Sequence, residues 1–222
     1  MEVKAEDGQI KRERRKQARP GELLDAALAL FVEKGFAATR VEEVAARAGV
    51  SKGTLFLYFE SKEELLKAVV HESLAGRFLE WNEEFERFEG SSADMLRTFL
   101  DQWWVRVGST PASGITKLMI SESQNFPELA IYYQREVIVP GHHLIRRILQ
   151  RGVDLDEFRV DDMEYAVYSV VAPMIFLMMN KHSQTACVAT AKALDPLRFI
   201  AMQAAILLHG LSARAPHTKG AL

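Results

Sequence analysis

The residues between Thr39 and Lys62, TRVEEVAARAGVSKGTLFLYFESK, have the types and spacing for one kind of chemistry, hydrogen bonding to DNA. The run reads as two short helices joined by a tight turn and followed at once by a third helix start, the arrangement that lays one helix in a major groove. Thr39 and Glu42 have the spacing of a capping box, and Val41, Val44, Ala45 and Ala48 recur at i, i+3, i+4 and i+7, so an amphipathic helix starts there. Gly49 ends it, Val50 plugs the corner, and Ser51 caps a second helix over Lys52–Tyr58. Ser61 with Glu64 repeats the capping box and starts a third helix at Lys62. Upstream, Leu23, Leu24, Ala27, Leu28 and Phe31 form an apolar stripe on a helix ended by Gly35. Three helices then enclose one small core, to which Leu55 and Phe59 are assigned.

Helix, glycine turn, helix is also common in ordinary helical packing, and charge helps to separate the two readings. From Lys11 to Lys62 there are 11 Lys or Arg against 7 Asp or Glu, whereas from Glu63 onward there are 16 against 20. A weakly positive first part and an acidic remainder suit a DNA reader joined to a domain that is not one. Lys11, Arg12, Arg14, Arg15, Lys16 and Arg19 are interrupted by a single acid, Glu13, and precede Pro20. They make residues 1–20 a basic flexible arm that could neutralise phosphates, enter a minor groove, or simply keep the chain soluble.

Over about residues 22 to 68 the sequence resembles the TetR family of transcriptional regulators. The resemblance rests on the helix ending in Phe31 and Gly35, then Phe36, Thr39, Val44, Ala45, Ala48, Gly49 and Val50. It continues through Gly53-Thr54-Leu55, the aromatic run Phe56-Leu57-Tyr58-Phe59, and Lys62-Glu63-Glu64-Leu65. The remaining two thirds agree with the family only in length and helical character. The resemblance implies an all-α protein with an amino-terminal three-helix DNA-binding domain containing a helix-turn-helix. A larger helical domain for effector binding and dimerisation follows it. It further implies a homodimeric repressor on a double-stranded operator, released by a small effector.

Carried onto this chain, the resemblance gives Thr54 and Lys62 a hold on the phosphate backbone and Tyr58 a phosphate contact through its hydroxyl. It sets Lys52 and Gly53 at the exposed start of the reading helix, where the backbone approaches base edges and an ammonium can donate to guanine. Tyr58 could instead pack in the core. Phe56, Leu57, Thr39 and Arg40 complete the set of DNA-contact candidates. Two positions depart from the family pattern. Phe56 stands where tyrosine is common and has no donor, and Glu42 stands where some members place an arginine. Here Glu42 reads as a capping acid or as an acceptor for cytosine.

At 222 residues and 48% apolar content, the chain can bury a substantial core. The expected organisation is an arm at 1–20, a DNA-binding domain at 21–66, a ligand-binding and dimerisation domain at 67–211, and a flexible tail at 212–222. Within the larger domain, proline, glycine and capping signals predict a long helix from Lys62 to about Phe88, a break at Gly90–Ser92, and a helix from Ala93 to Val107. A loop over Gly108–Gly114 precedes helices over Ile115–Ser123 and over Pro127–Leu149, the latter interrupted at Pro140-Gly141. The last two helices cover Asp161–Lys181 and Thr190–Leu211, with a break at Pro196.

Tyr165–Asn180 is apolar but too short to span a membrane and contains Pro173, so it reads as a buried, kinked helix in a protein with no membrane partner. The single cysteine, Cys187, excludes an intrachain disulfide and fits the cytoplasm; it reads as buried filler sooner than as a redox sensor. His142 and His143 are adjacent and point apart on a helix, which gives no metal site. Glycine-rich phosphate loops, nucleophile elbows and zinc-protease pairs are absent from the sequence, so neither an enzyme nor a cofactor is expected.

An apolar effector would need a cavity, for which Phe78, Phe99, Trp103, Trp104, Met119, Phe126, Tyr132, Phe176 and Met178 are candidates. Glu122, His142 or Arg146 could orient a polar group on it. Dimerisation falls to the last two helices, through Val167, Val171, Ile175, Met179, Phe199, Met202 and Ile206. A DNA binder without effector response is the alternative, and a helical enzyme a weaker one.

Overall fold

The computed structural model of the chain describes residues 20–182 and 194–211, and it is all-α. Helix α1 runs over 20–34 and buries Leu23, Ala27, Leu30 and Phe31. Its last turn is closed by Gly35, which has φ +87° and whose N–H returns to the Phe31 carbonyl at 2.9 Å. Only a residue without a side chain takes that conformation cheaply.

Helix α2 spans Val41–Arg47. The expected Thr39–Glu42 capping box does not form. Thr39 is 1% exposed, and its hydroxyl donates to the Gly35 carbonyl at 2.7 Å and faces that of Leu30 at 3.3 Å, which ties it to the end of α1. The cap moves one residue on, where the Arg40 N–H donates to Glu43 Oε2 at 3.2 Å.

Gly49 makes the next corner with φ +68°, and the Ser51 hydroxyl accepts from the Thr54 N–H at 3.1 Å to start α3, Lys52–Phe56. This helix is shorter than the predicted Lys52–Tyr58, because the N–H groups of Tyr58 and Phe59 both turn back to the Leu55 carbonyl. Ser61 caps α4, Lys62–Val70, as its spacing predicts.

In the larger domain α4 continues through a π turn, His71–Ala75, into α5, Arg77–Glu86. Helix α6, Ser92–Trp103, carries a second π turn over Trp104–Gly108, and α7, Ser113–Glu122, begins within the predicted loop. Helix α8 is Pro127–Tyr133. The break expected at Pro140-Gly141 lies elsewhere: α9, Val139–Asp154, runs through both residues, and the irregularity is the preceding π turn, Gln134–Ile138. A widened turn just ahead of a proline accommodates its ring and its missing N–H.

Helix α10, Met163–His182, continues across Pro173. Pro196, where the sequence predicts a break, starts α11, Pro196–Leu211, with Asp195 Oδ1 accepting from the N–H groups of Leu197 and Arg198, and the predicted stretch from Thr190 lies largely outside the described residues. The basic arm, Cys187 and the tail lie outside the described residues.

Helix α10 packs against α7 and α9, and α11 against α6 and α10. At 20 residues with mean hydropathy 1.3, α10 has about the predicted length but is long and apolar enough to cross a bilayer, where its apolar stretch alone read as too short, and 28% of that stretch is buried among the described residues. The amino-terminal module is seated directly on α7 and the turn after it. Phe36 meets Phe126 edge to face at 4.8 Å, and the Ala37 N–H donates to Glu122 Oε1 at 3.2 Å. A Cβ on Gly114 would stand 2.5 Å from Val32 Cγ1, so α7 starts in close contact with α1.

Candidate DNA interface and ligand cavity

The amino-terminal module presents a short outer face built on α3. Lys52 and Gly53 are exposed at its start, Phe56 and Leu57 are exposed at 40% and 82%, and Leu55 beneath them is fully buried. An exposed phenylalanine and leucine beside an ammonium on a five-residue helix give that face apolar contact as well as charge.

The Lys52 ammonium rests 2.6 Å from Glu42 Oε1 and 5.7 Å from the Phe56 ring centroid. That hydrogen bond is the main cause that holds the Glu42 carboxyl below its ordinary range. Both partners are more than half exposed, so the pair is weak and a DNA acceptor can displace it. Glu42 is thus a partner of Lys52, and not the capping acid the sequence suggested. The Thr54 hydroxyl lies 2.9 Å from that of Ser51, close to the helix start, and Arg40 is exposed at the start of α2. Tyr58 is half-buried against the core.

Two candidates are turned away from the outer face. Thr39 is buried, with its hydroxyl committed to α1. Lys62 donates to the carbonyls of Phe36 at 2.8 Å, Thr39 at 3.1 Å and Ala37 at 3.3 Å, and stands 4.4 Å over the Phe36 ring. All three of its protons have acceptors within the protein. The expectation of a phosphate-holding lysine is corrected to one that staples the 36–39 turn to α4.

The larger domain holds a half-open cavity of about 210 Å³ between α5, α6, α7, α8, α9 and α10. Of the nine predicted lining residues, Phe78, Phe99, Trp103 and Met178 face it. The other five sit elsewhere. Trp104 and Met119 are core residues, Phe126 packs on Phe36, and Phe176 is 49% exposed and stacks on Phe199 at 5.5 Å. Tyr132 faces an open cleft with Tyr58, Lys67 and His71.

The sequence missed Trp81, Thr116, Tyr133, Ile145 and Met174 as lining residues. Trp81 was legible, since Leu74, Phe78 and Trp81 follow the i, i+4, i+7 spacing of one face. Polar groups are few. Thr116 Oγ1 and the Tyr133 hydroxyl are 3.0 Å apart, and burial raises the Tyr133 phenol above its ordinary range. His142 lines the cavity, and its imidazole is kept below the usual histidine range by burial, then by Arg146. Arg146 itself is exposed, and Glu122 holds Ala37 instead of the cavity.

The dimer candidates also divide. Val167 is buried, while Val171 and Ile175 face the cavity. Met179 and Phe199 are half-buried, and Met202 and Ile206 are exposed at 58% and 65%. Val167 is thus an intramolecular position, and Val171 and Ile175 are half-buried on the cavity side of α10. Among the described residues, no group of three or more His, Cys, Asp or Glu could hold a metal ion.

Comparison with known proteins gives two family matches that together span well over half of the chain. Residues 23–69 match the bacterial regulatory proteins of the tetR family, and residues 94–191 match the carboxy-terminal domain of AefR-like transcriptional repressors. A fatty acid metabolism regulator protein of Bacillus subtilis is 27% identical over 148 residues, 65% of this chain and 74% of that one. The transcriptional repressor KstR2 of Mycobacterium tuberculosis is 47% identical over 64 residues, 29% of this chain and 30% of the repressor. Among solved structures, the fatty acid degradation regulator FadR from Bacillus halodurans superposes with a TM-score of 0.70 at 21% identity, covering 86% of this chain and 94% of that one.

Proposed function

The chain belongs to the TetR family of bacterial transcriptional regulators, DNA-binding proteins and not enzymes, and we propose that it is a cytoplasmic homodimeric repressor released from a palindromic operator by a small, largely apolar effector. One observation carries the reading: a single helix, α7, touches both the cavity and the DNA-binding module. Its Thr116 and Ile120 line the cavity, its Gly114 abuts Val32, and its last residue, Glu122, holds the Ala37 N–H. A ligand that repacks the cavity wall therefore tilts the module's seat, and α4, stapled to the same turn by Lys62, moves with it. Coupling of this kind is worth about 1 to 3 kcal/mol of operator affinity.

We assign DNA reading to residues 21–66, with Lys52, Gly53 and Thr54 at the groove, Arg40 and Tyr58 toward phosphate, and Phe56 and Leu57 in apolar contact. Residues 67–211 hold the ligand and the partner subunit. The apolar lining supports an apolar effector, as do the two fatty acid regulators among the similar proteins. The uncovered apolar faces of α10 and α11 support dimerisation, and a two-fold pair sets its reading helices one DNA turn, about 34 Å, apart. Selection of genomic fragments by the purified protein at fixed salt tests the proposal. A shared short palindrome is expected, and a bound pool with no common site would overturn it.

A further inference from the structure

Helix α2 carries three charged side chains, and they divide between two neighbours. Glu43 meets Lys34 of α1 at 2.7 Å and Arg47 meets Glu33 of α1 at 3.0 Å, the two lying four residues apart on one face. Glu42 is turned about 100° from Glu43 and reaches α3 instead, where its Oε1 stands 2.6 Å from the Lys52 ammonium. Acid and ammonium are each 54% exposed, on the outer face assigned above to DNA. That hydrogen bond holds the Glu42 carboxyl below its ordinary range, so at neutral pH it is a carboxylate and accepts only. Whatever Lys52 touches on a duplex, Glu42 meets as well.

A carboxylate brought to DNA sits among phosphates and groove acceptors, which repel it. The pair costs little to break in water, but beside DNA the acid must keep a donor. The floor of the major groove offers two, the N4 amino group of cytosine and the N6 amino group of adenine. Lys52 chooses between them. One of its three protons lies on Glu42, leaving two, and guanine presents two neighbouring acceptors, O6 and N7, where thymine presents one. Guanine's partner is cytosine, whose N4 amino group borders O6 in the groove. We infer that Lys52 and Glu42 read a single G·C pair in each operator half-site as one unit, the ammonium on guanine and the carboxylate on cytosine N4. Glu42 is then a specificity-determining residue. This rests on the assignment of DNA reading to α3 and names the base pair that it selects.

Sequencing of DNA selected from a random pool by the full chain, at one salt concentration, tests this on the wild type, Glu42→Ala and Lys52→Ala. The wild-type site should hold a G·C pair in each half, and both variants should relax that same pair, its discrimination falling about tenfold. If the carboxylate only repels DNA, Glu42→Ala binds every sequence more tightly and keeps all base preferences, and the inference is overturned. Relaxation of two different pairs overturns it as well. Both results leave α3 as the reading helix, whereas a wild-type pool with no shared site overturns that assignment too. A second measurement needs no selection by a variant: N4-methylcytosine at the assigned pair removes the N–H that faces the groove. It should weaken wild-type binding about tenfold and leave Glu42→Ala unmoved, and an equal loss in both would take the carboxylate off cytosine.

Discussion

Lys62 shows what a residue type can and cannot disclose. A lysine at the start of a helix, just after the reading helix, has the same sequence whether it faces phosphate or backbone; what decides is that the 36–39 turn aims three carbonyls at one point. An ammonium is the only side chain with three donors on a single atom. Lys62→Met keeps the stem and removes the donors, so it should lower stability by about 1.5 to 3 kcal/mol, read as an earlier urea midpoint. A purely phosphate-binding lysine would leave that midpoint unmoved and lose only operator affinity. Thr39 teaches the same lesson: its spacing to Glu42 suggests a cap, but its methyl and hydroxyl together fill the space under α1, and the cap passes to Arg40 and Glu43. Lys52 and Glu42 stay on the outside, where their pairing costs little to break.

At the scale of elements, the helix boundaries set by local chemistry were legible and those set by tertiary fit were not. Gly35, Gly49, Ser51 and Ser61 act within a few residues of themselves, and the structure uses each as its type suggests. The π turns at His71–Ala75 and Trp104–Gly108 have no such signature, whereas the third, Gln134–Ile138, precedes Pro140. Cavity residues were half legible for a related reason. Composition marks Trp103 and Trp104, or Tyr132 and Tyr133, as large and aromatic, but adjacent helical residues point about 100° apart, and only packing says which member meets the void.

Helix α7 is the element on which function should be most sensitive. Gly114→Ala puts a methyl against Val32, and the backbone must shift to relieve it. Because the contact joins cavity helix to DNA-binding module, it should cost about 1 to 3 kcal/mol of stability or weaken operator binding by displacing the module. Thermal melts and fluorescence anisotropy on the operator read the two effects. Unchanged values in both would show that α7 carries no strain to the module.

The end of α10 gives a pH dependence. His182 Nε2 lies 2.8 Å from the Ser113 hydroxyl, and its pKa is lowered by burial, then by Lys181 and Lys117. The unfolded chain therefore takes up a proton near pH 6.5, before the folded one does. Stability present above that pH is lost as pH falls toward the folded value, and His142 adds to it with the same sign. Melting temperature should drop between pH 7.5 and 5.5, and His182→Gln should flatten that drop.

For the whole molecule, the deciding feature is an apolar surface that the described residues do not cover. Phe176 stands out from α10, and Leu197, Met202 and Ile206 stand out from α11, the last three each more than half exposed. Helix α10 alone could equally suggest a membrane span, but α11 beside it is a 16-residue helix on a folded body, and the two together offer a broad face of a kind a second copy can match. Helices of 20 and 16 residues are about 30 and 24 Å long, enough to approach the ~800 Å² per partner of a stable interface. Two-fold pairing there brings each Ile206 into an interface lined by its own kind, where a carboxylate would lose water without gaining a partner. Ile206→Glu is an exposed change in the single chain, so each subunit should remain folded by circular dichroism. Sedimentation should show a monomer in place of a dimer at micromolar concentration. Operator affinity should then fall by about two orders of magnitude or more, since two linked half-sites become one. A variant that stays dimeric would move the interface off α11, and a monomer that binds the operator undiminished would separate DNA reading from dimerisation altogether.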